Sequence, residues 1–241
     1  MRKKINPESI FPHVGVIAIT GCDGSGKSTL ATSLVSYLSE QHPVELLYLG
    51  QSSGRIGAWV SALPVIGVPF GRYLLAKSEH VHERPSIPPD NTTALAIFLL
   101  SCWRVYKFRR MLAKSRRGTL LVTDRYPQAE VAGFRFDGPQ LAKTTGGNRW
   151  ISWLRKREQG FYQWMASYPP LLLIRLAIDE ETAWLRKPDH QRSALRDKIA
   201  VIPQLTFNGA RILELDGRRP ASEIFDESLR AVKHTLAAAN T

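Results

Sequence analysis

Val16-Ile-Ala-Ile-Thr-Gly21-Cys-Asp-Gly-Ser-Gly26-Lys27-Ser28-Thr29-Leu30 is the stretch on which the reading of this chain turns. An apolar run suited to a buried strand leads into the spacing G-x-x-x-x-G-K-[ST], and an amphipathic helical pattern follows at once. The glycines let the backbone curl so that successive N–H groups face inward, and the helix N-terminus adds its positive dipole end. Such a cradle suits the phosphates of a nucleoside triphosphate, ATP by preference. Gly21, Asp23, Gly24, Ser25, Gly26, Lys27, Ser28 and Thr29 are therefore the expected nucleotide-binding residues. Lys27 is expected to reach the β and γ phosphates, and the Ser28 hydroxyl to ligate Mg²⁺. The alternative is a Gly-rich turn between strand and helix that binds nothing.

Outward from this loop, strand and helix patterns alternate along the chain, which argues for an α/β fold with a parallel sheet. The expected strands are 14–20, 44–49, 119–123, 171–177 and 211–215. All are short and apolar, as suits strands covered on both faces. Helical patterns run over 27–40, 92–114, 150–167, 179–187, 193–201 and 222–239. The stretch 50–90 carries several Gly and Pro and reads mostly as loop, with a short helix near 72–77. A second irregular stretch covers 127–149.

The third strand delivers Asp124-Arg125-Tyr126 at its carboxyl end, the edge of an open parallel sheet where ligands bind. If that strand lies beside the first, Asp124 falls close to the Gly-rich loop. There it would hold Mg²⁺ or accept a proton from an acceptor hydroxyl, and Arg125 would offer a fork to a phosphate. The plainer alternative is an Asp124–Arg125 pair on the surface.

Composition bounds the rest. The 241 residues, 44% hydrophobic, can fill a sizeable core without disulfides, and two cysteines suit a reducing compartment, the cytoplasm. No apolar run reaches the roughly 18 residues that span a bilayer. The excess of 33 Lys and Arg over 21 Asp and Glu implies an anionic partner. The basic residues from Arg104 to Arg117 spread around a helix, as on a solvated face, so nucleic acid is the lesser reading.

Taken together, Gly21–Thr29, Arg104, Gly118, Leu120-Leu-Val-Thr-Asp-Arg-Tyr126 and the late segment starting Leu185-Arg-Lys-Pro188 resemble the thymidylate kinase family. The resemblance implies a three-layer P-loop fold whose five-stranded sheet has the order 2-3-1-4-5. It implies one domain over 1–241, with a flexible tail over 1–13, an acceptor-side insertion over 50–90 and a lid over 186–198. It also implies transfer from MgATP to a nucleoside monophosphate, thymidylate in the type members. Asp23 would contact the acceptor's sugar, Arg125 its phosphate and Arg104 its base. Gly24 stands where one branch of the family has an arginine, so the cation for the transferring phosphoryl would come from the lid: Arg186, Arg192 or Arg196. A homodimer is open to such a chain.

The chain departs from the family on the acceptor side. Tyr48-Leu-Gly-Gln-Ser-Ser-Gly54 replaces an arginine-bearing turn, Leu100 stands where an aromatic would stack on thymine, and Pro-Gln-Ala-Glu130 follows Tyr126. A nucleoside or sugar kinase on the same scaffold, and an NTP-driven switch with a docked basic surface, are the competing readings. His80, His82 and Glu83 have no third ligand at metal-site spacing. Cys22, Trp150, Trp153, Phe161 and Trp164 read as structural, the aromatics as core of one helix, and Glu158 on that helix has no assigned role.

Overall fold

The computed structural model describes residues 15–50, 89–144 and 146–239. The expected tail over 1–13, most of the 50–90 insertion, the short helix near 72–77 and His80, His82 and Glu83 lie outside the described residues.

Five strands, β1 (Val16–Gly21), β2 (Val44–Tyr48), β3 (Leu120–Asp124), β4 (Leu172–Ala177) and β5 (Ile212–Asp216), form one parallel sheet in the order 2-3-1-4-5. Helices flank it, so the expected α/β fold and strand order are the observed ones. Every residue of β1 and β3 is buried, which is why these segments are continuous apolar runs. The edge strands differ from the expectation of cover on both faces. In β2 and β5 most residues are half-buried, because an edge strand has a neighbour on one side alone.

Helix α1 (Lys27–Leu38) lays Leu30, Ala31, Leu34 and Leu38 on the sheet at helical spacing. Ile224, Leu229 and Val232 of the last helix, α6 (Ala221–Ala239), complete that core with Ile17, Ile19, Val122 and Ile174. Between them in the chain come α2 (Asn91–Ser115), α3 (Arg149–Ala166), α4 (Glu180–Arg186) and α5 (Arg192–Val201).

The described residues divide into two compact units. One holds the residues up to Tyr48, Arg109–Tyr126 and everything from Tyr168 onward, and so contains the whole sheet. The other holds the described parts of Leu49–Phe108 together with Pro127–Ser167. Its core is Ala94, Ile97, Leu141, Ile151 and Leu154, with Phe98 against it. Asn148 caps α3 by accepting from the Ile151 amide at 2.9 Å.

Two readings of α2 and α3 are corrected here. The buried stripe of α3 is Ile151, Leu154, Glu158, Tyr162 and Met165, which turns Trp150 and Trp153 outward, 40% and 49% exposed. The helical period admits one inward face, and the tryptophans miss it. Glu158 is in the stripe instead. Its carboxylate accepts from Ser101 Oγ at 2.7 Å and from the amides of Leu141 at 2.7 Å and Gln140 at 3.2 Å. Burial pushes that carboxyl up to about 7 against those hydrogen bonds. Arg109 and Arg110 on α2, and Arg116 and Arg117 just after it, are indeed exposed, but Arg104 is buried.

Candidate phosphate-binding site

The site is assembled on the carboxyl edge of β1 and β3, within the sheet-bearing unit. Gly21 ends β1 opposite Leu176 of β4, and a Cβ there would stand 2.5 Å from the Leu176 carbonyl oxygen. No other residue type fits so close to a neighbouring strand. Gly26, with φ of 93°, turns the chain into α1 from the left-handed region. Lys27, the first residue of α1, arches back over the loop and donates from Nζ to the Cys22 carbonyl at 2.7 Å. Burial pushes its ammonium down to about 8, helped by Arg125 and opposed by Asp23 and Asp124.

Asp124 pairs in register with Ile19, so β3 does lie beside β1 and brings its last residue to the loop. Asp124 is buried, and its Oδ2 accepts from Ser28 Oγ at 2.7 Å. Its Oδ1 is also buried and has no hydrogen-bond partner. A surface pair with Arg125 is therefore not what the fold makes. An unshared carboxylate oxygen beside a hydroxyl is a donor set that a hard divalent cation accepts, so Ser28 and Asp124 fit Mg²⁺. Among the described residues no cluster of three or more His, Cys, Asp or Glu stands ready to hold a metal ion. Phosphate oxygens would have to supply further ligands.

Arg125 takes φ of 71°, a backbone strain that an arginine rarely adopts. The turn is held by its amide on the Ile19 carbonyl at 3.0 Å. It directs the guanidinium to Asp23 Oδ1 at 3.0 Å. Asp23 is in fact a hub. Lys198 of α5 donates to its Oδ2, His190 Nδ1 lies 3.7 Å from the same oxygen, and Lys27 Nζ lies 3.9 Å from Oδ1. Burial alone would raise the Asp23 carboxyl, but Lys198, then Arg125 and Lys27, outweigh it and hold it well below the usual carboxylate range. Neither Lys198 nor His190 was singled out from the sequence. The signal for Lys198 was there: it follows Leu195 by three on the buried face of α5, a position that favours an apolar residue.

Arg186, at the end of α4, donates to the carbonyls of Gly24 at 3.1 Å and Gly217 at 2.9 Å. It lines a cleft of about 240 Å³ with Ser25, Gly26, Thr29, Leu30 and Phe225. Arg192 and Arg196 are elsewhere. Each bonds Glu180 at 2.9 Å, and Arg192 also lies over the Trp184 ring. Cys22 is buried, with burial pushing its thiol up rather than down, in line with a structural role.

Arg104 belongs to the other unit. There it donates to Asp137 Oδ1 at 2.9 Å and lies over the Tyr162 ring at 5.7 Å. Its Nε is buried without a hydrogen-bond partner. Leu100 is buried, and Phe98 packs near Phe161 at 5.5 Å.

Among the described residues no helix is long and apolar enough to cross a membrane. No protein-family model matches the chain. It is 71% identical over 223 residues to "Uncharacterized ATP-binding protein YghS" of Escherichia coli strain K12, covering 92% of this chain and 94% of that one. It is 42% identical over 218 residues to "Uncharacterized ATP-binding protein YghR" of the same strain, covering 90% and 86%. A thymidylate kinase of Arabidopsis thaliana matches at 31% over 125 residues, 52% of this chain and 40% of the plant protein. Identity of this extent over nearly full lengths means that the protein, with its glycine-rich cradle, belongs to the P-loop family of YghS and YghR.

Proposed function

We propose that this protein binds MgATP and transfers its γ-phosphoryl group to an oxygen of a small acceptor. The observation that carries the reading is the Ser28–Asp124 pair beside the Lys27 ammonium, with Asp124 Oδ1 left unshared. The names of YghS and YghR support the donor, and the partial match to a thymidylate kinase supports the reaction class. Lys27 neutralises charge on the β and γ phosphates, and Arg125 forks onto a phosphate of donor or acceptor. Mg²⁺ held by Ser28 and Asp124 would offset further phosphate charge. Arg186 walls the cleft beside Gly26, where the rest of the nucleotide has room.

The acceptor in this reading is a nucleoside monophosphate, thymidylate being the first to test, with Asp23 and Arg125 on the acceptor side. A monophosphate, with its second pKa near 6, is largely ionised at neutral pH and attacks without a base. A second reading, a nucleoside or sugar kinase, is favoured by one observation: Arg104 is already engaged by Asp137. For an alcohol acceptor Asp124 takes the hydroxyl proton.

The test is ADP release measured across nucleoside monophosphates, nucleosides and sugars, on the wild type and on Lys27→Ala. Turnover with thymidylate that Lys27→Ala abolishes is the expected result. Turnover with uncharged alcohols alone moves the assignment to the second reading. No Lys27-dependent turnover with any acceptor rejects the transferase.

A further inference from the structure

We infer that one face of α2 and α3 is a docking surface for an anionic phospholipid bilayer. The inference does not depend on the phosphotransfer reading, since every residue it uses belongs to the unit that lacks the sheet. Leu95 and Leu99 stand one turn apart on α2, 38% and 48% exposed. Tyr106 follows two turns on, also exposed, with its ring stacked on Trp103 at 5.1 Å. On α3, Trp150 and Trp153 are the side chains already found turned to solvent. Phe98 joins the two rows: it falls between Leu95 and Leu99 in the helix and sets its ring 6.2 Å from that of Trp153. Single exposed apolar side chains are common on any protein, but large ones gathered on one surface mark a binding face.

Charge decides what that face binds. α2 contains no Asp or Glu, and the one carboxylate of α3, Glu158, is fully buried. Arg149, Lys156 and Arg157 are exposed on α3 beside the tryptophans, and the Arg157 guanidinium lies over the Trp153 ring at 5.3 Å. A second copy of this face would set like charges against each other, which opposes pairing. Nucleic acid offers phosphates to the cations, but a leucine has no flat ring on which a base stacks.

An anionic bilayer matches both components. Lipid phosphates meet the arginines and the lysine, Trp and Tyr rings settle at the headgroup boundary, and the leucines reach the start of the acyl chains. The net charge of +12 acts in the same direction over longer range. Contact of this kind is interfacial, for among the described residues no helix is long and apolar enough to cross a membrane.

The test is co-sedimentation of the full chain with vesicles of phosphatidylcholine alone and of equimolar phosphatidylcholine and phosphatidylglycerol, at low and at physiological salt. Tryptophan emission and melting temperatures are read alongside. The variants are Trp150→Ala/Trp153→Ala, Arg149→Glu/Lys156→Glu and, as a control reversing as many charges on α6 in the other unit, Arg230→Glu/Lys233→Glu. All six side chains are exposed, so the variants should fold. Expected are wild-type binding to the phosphatidylglycerol vesicles with a blue shift of tryptophan emission, and weakening by salt. Both face variants should lose about tenfold or more in partitioning, and the control should keep it. Equal partitioning of the wild type into both vesicle types, or an equal loss in the control, would overturn the assignment of this face to anionic lipid. Absence of vesicle binding overturns it as well: retention of a single-stranded oligonucleotide that the face variants lose would then give the face to nucleic acid, and a two-chain mass in light scattering that Trp150→Ala/Trp153→Ala reduces to one would give it to a second copy. Vesicle binding by a protein that binds no MgATP would sink the proposed function and leave this inference standing.

Discussion

Ser28 Oγ and Asp124 Oδ2 stand 2.7 Å apart across 96 residues of chain. The first lies in the opening turn of α1 and the second ends β3, so the contact exists because β3 pairs with β1. Replacing Asp124 with Ala should leave nucleotide affinity in EDTA unchanged and remove the gain on adding Mg²⁺. Turnover should fall by about 10²–10⁴ if Asp124 also takes a proton. A magnesium titration of ADP release checks both, and an unaltered magnesium dependence contradicts the assignment.

The two glycines that bracket the loop should behave differently when each is changed to alanine. At Gly21 the new Cβ would lie 2.5 Å from the Leu176 carbonyl and 2.7 Å from Ser25 Oγ, so the β1–β4 pairing must give way. At Gly26 nothing lies within 4 Å, and only the left-handed backbone is penalised, by about 1–2 kcal/mol. Urea denaturation should therefore rank Gly21→Ala well below Gly26→Ala in stability. Equal losses would mean that the close approach is relaxed without cost.

Lys27 predicts opposite pH trends for binding and for folding. Its ammonium, at about 8 in the free protein against 10.5 for an ordinary lysine, loses its proton as pH passes 8. MgATP affinity should therefore fall between pH 7 and 9, with proton uptake on binding near pH 8.5. Calorimetry in two buffers of different ionisation enthalpy reads that uptake directly. For folding the sign reverses: between about 8 and 10.5 the unfolded chain holds more protons at this site, so its contribution to stability rises with pH. In Lys27→Met both slopes should vanish.

Arg104 and Asp137 form a buried pair at 2.9 Å. Removing the guanidinium in Arg104→Met takes from Asp137 Oδ1 its hydrogen-bonded cation at 2.9 Å, and loss of one partner of such a pair costs up to about 3–5 kcal/mol. Chemical denaturation should show a loss in that range before any substrate is considered. A variant of wild-type stability with a raised KM for the acceptor would restore Arg104 to substrate contact alone.

Much of this was legible in the chain. Gly21 to Ser28 is a local pattern: the glycines, the lysine and the flanking strand and helix depend on neighbours within a few residues, so periodicity and turn chemistry suffice to find them. The ten ends of the five strands all lie within two residues of their expected places, for the same local reason. The orientation of α3 was less visible. Its pattern offers aromatic and aliphatic faces together, and burying Glu158 in place of Trp150 and Trp153 requires Ser101 and the 140–141 amides to meet its carboxylate. That is tertiary information.

By itself the sequence determined a parallel α/β frame and a phosphate loop, because both follow from short-range periodicity and from glycine's freedom at a few positions. Tertiary structure alone decided which charges meet. Asp23 and Lys198 are 175 residues apart, and although helical spacing puts that lysine on the buried face of α5, nothing local names the carboxylate it meets. Only the packing of α5 beside the loop, with the desolvation it imposes on both charges, makes them partners.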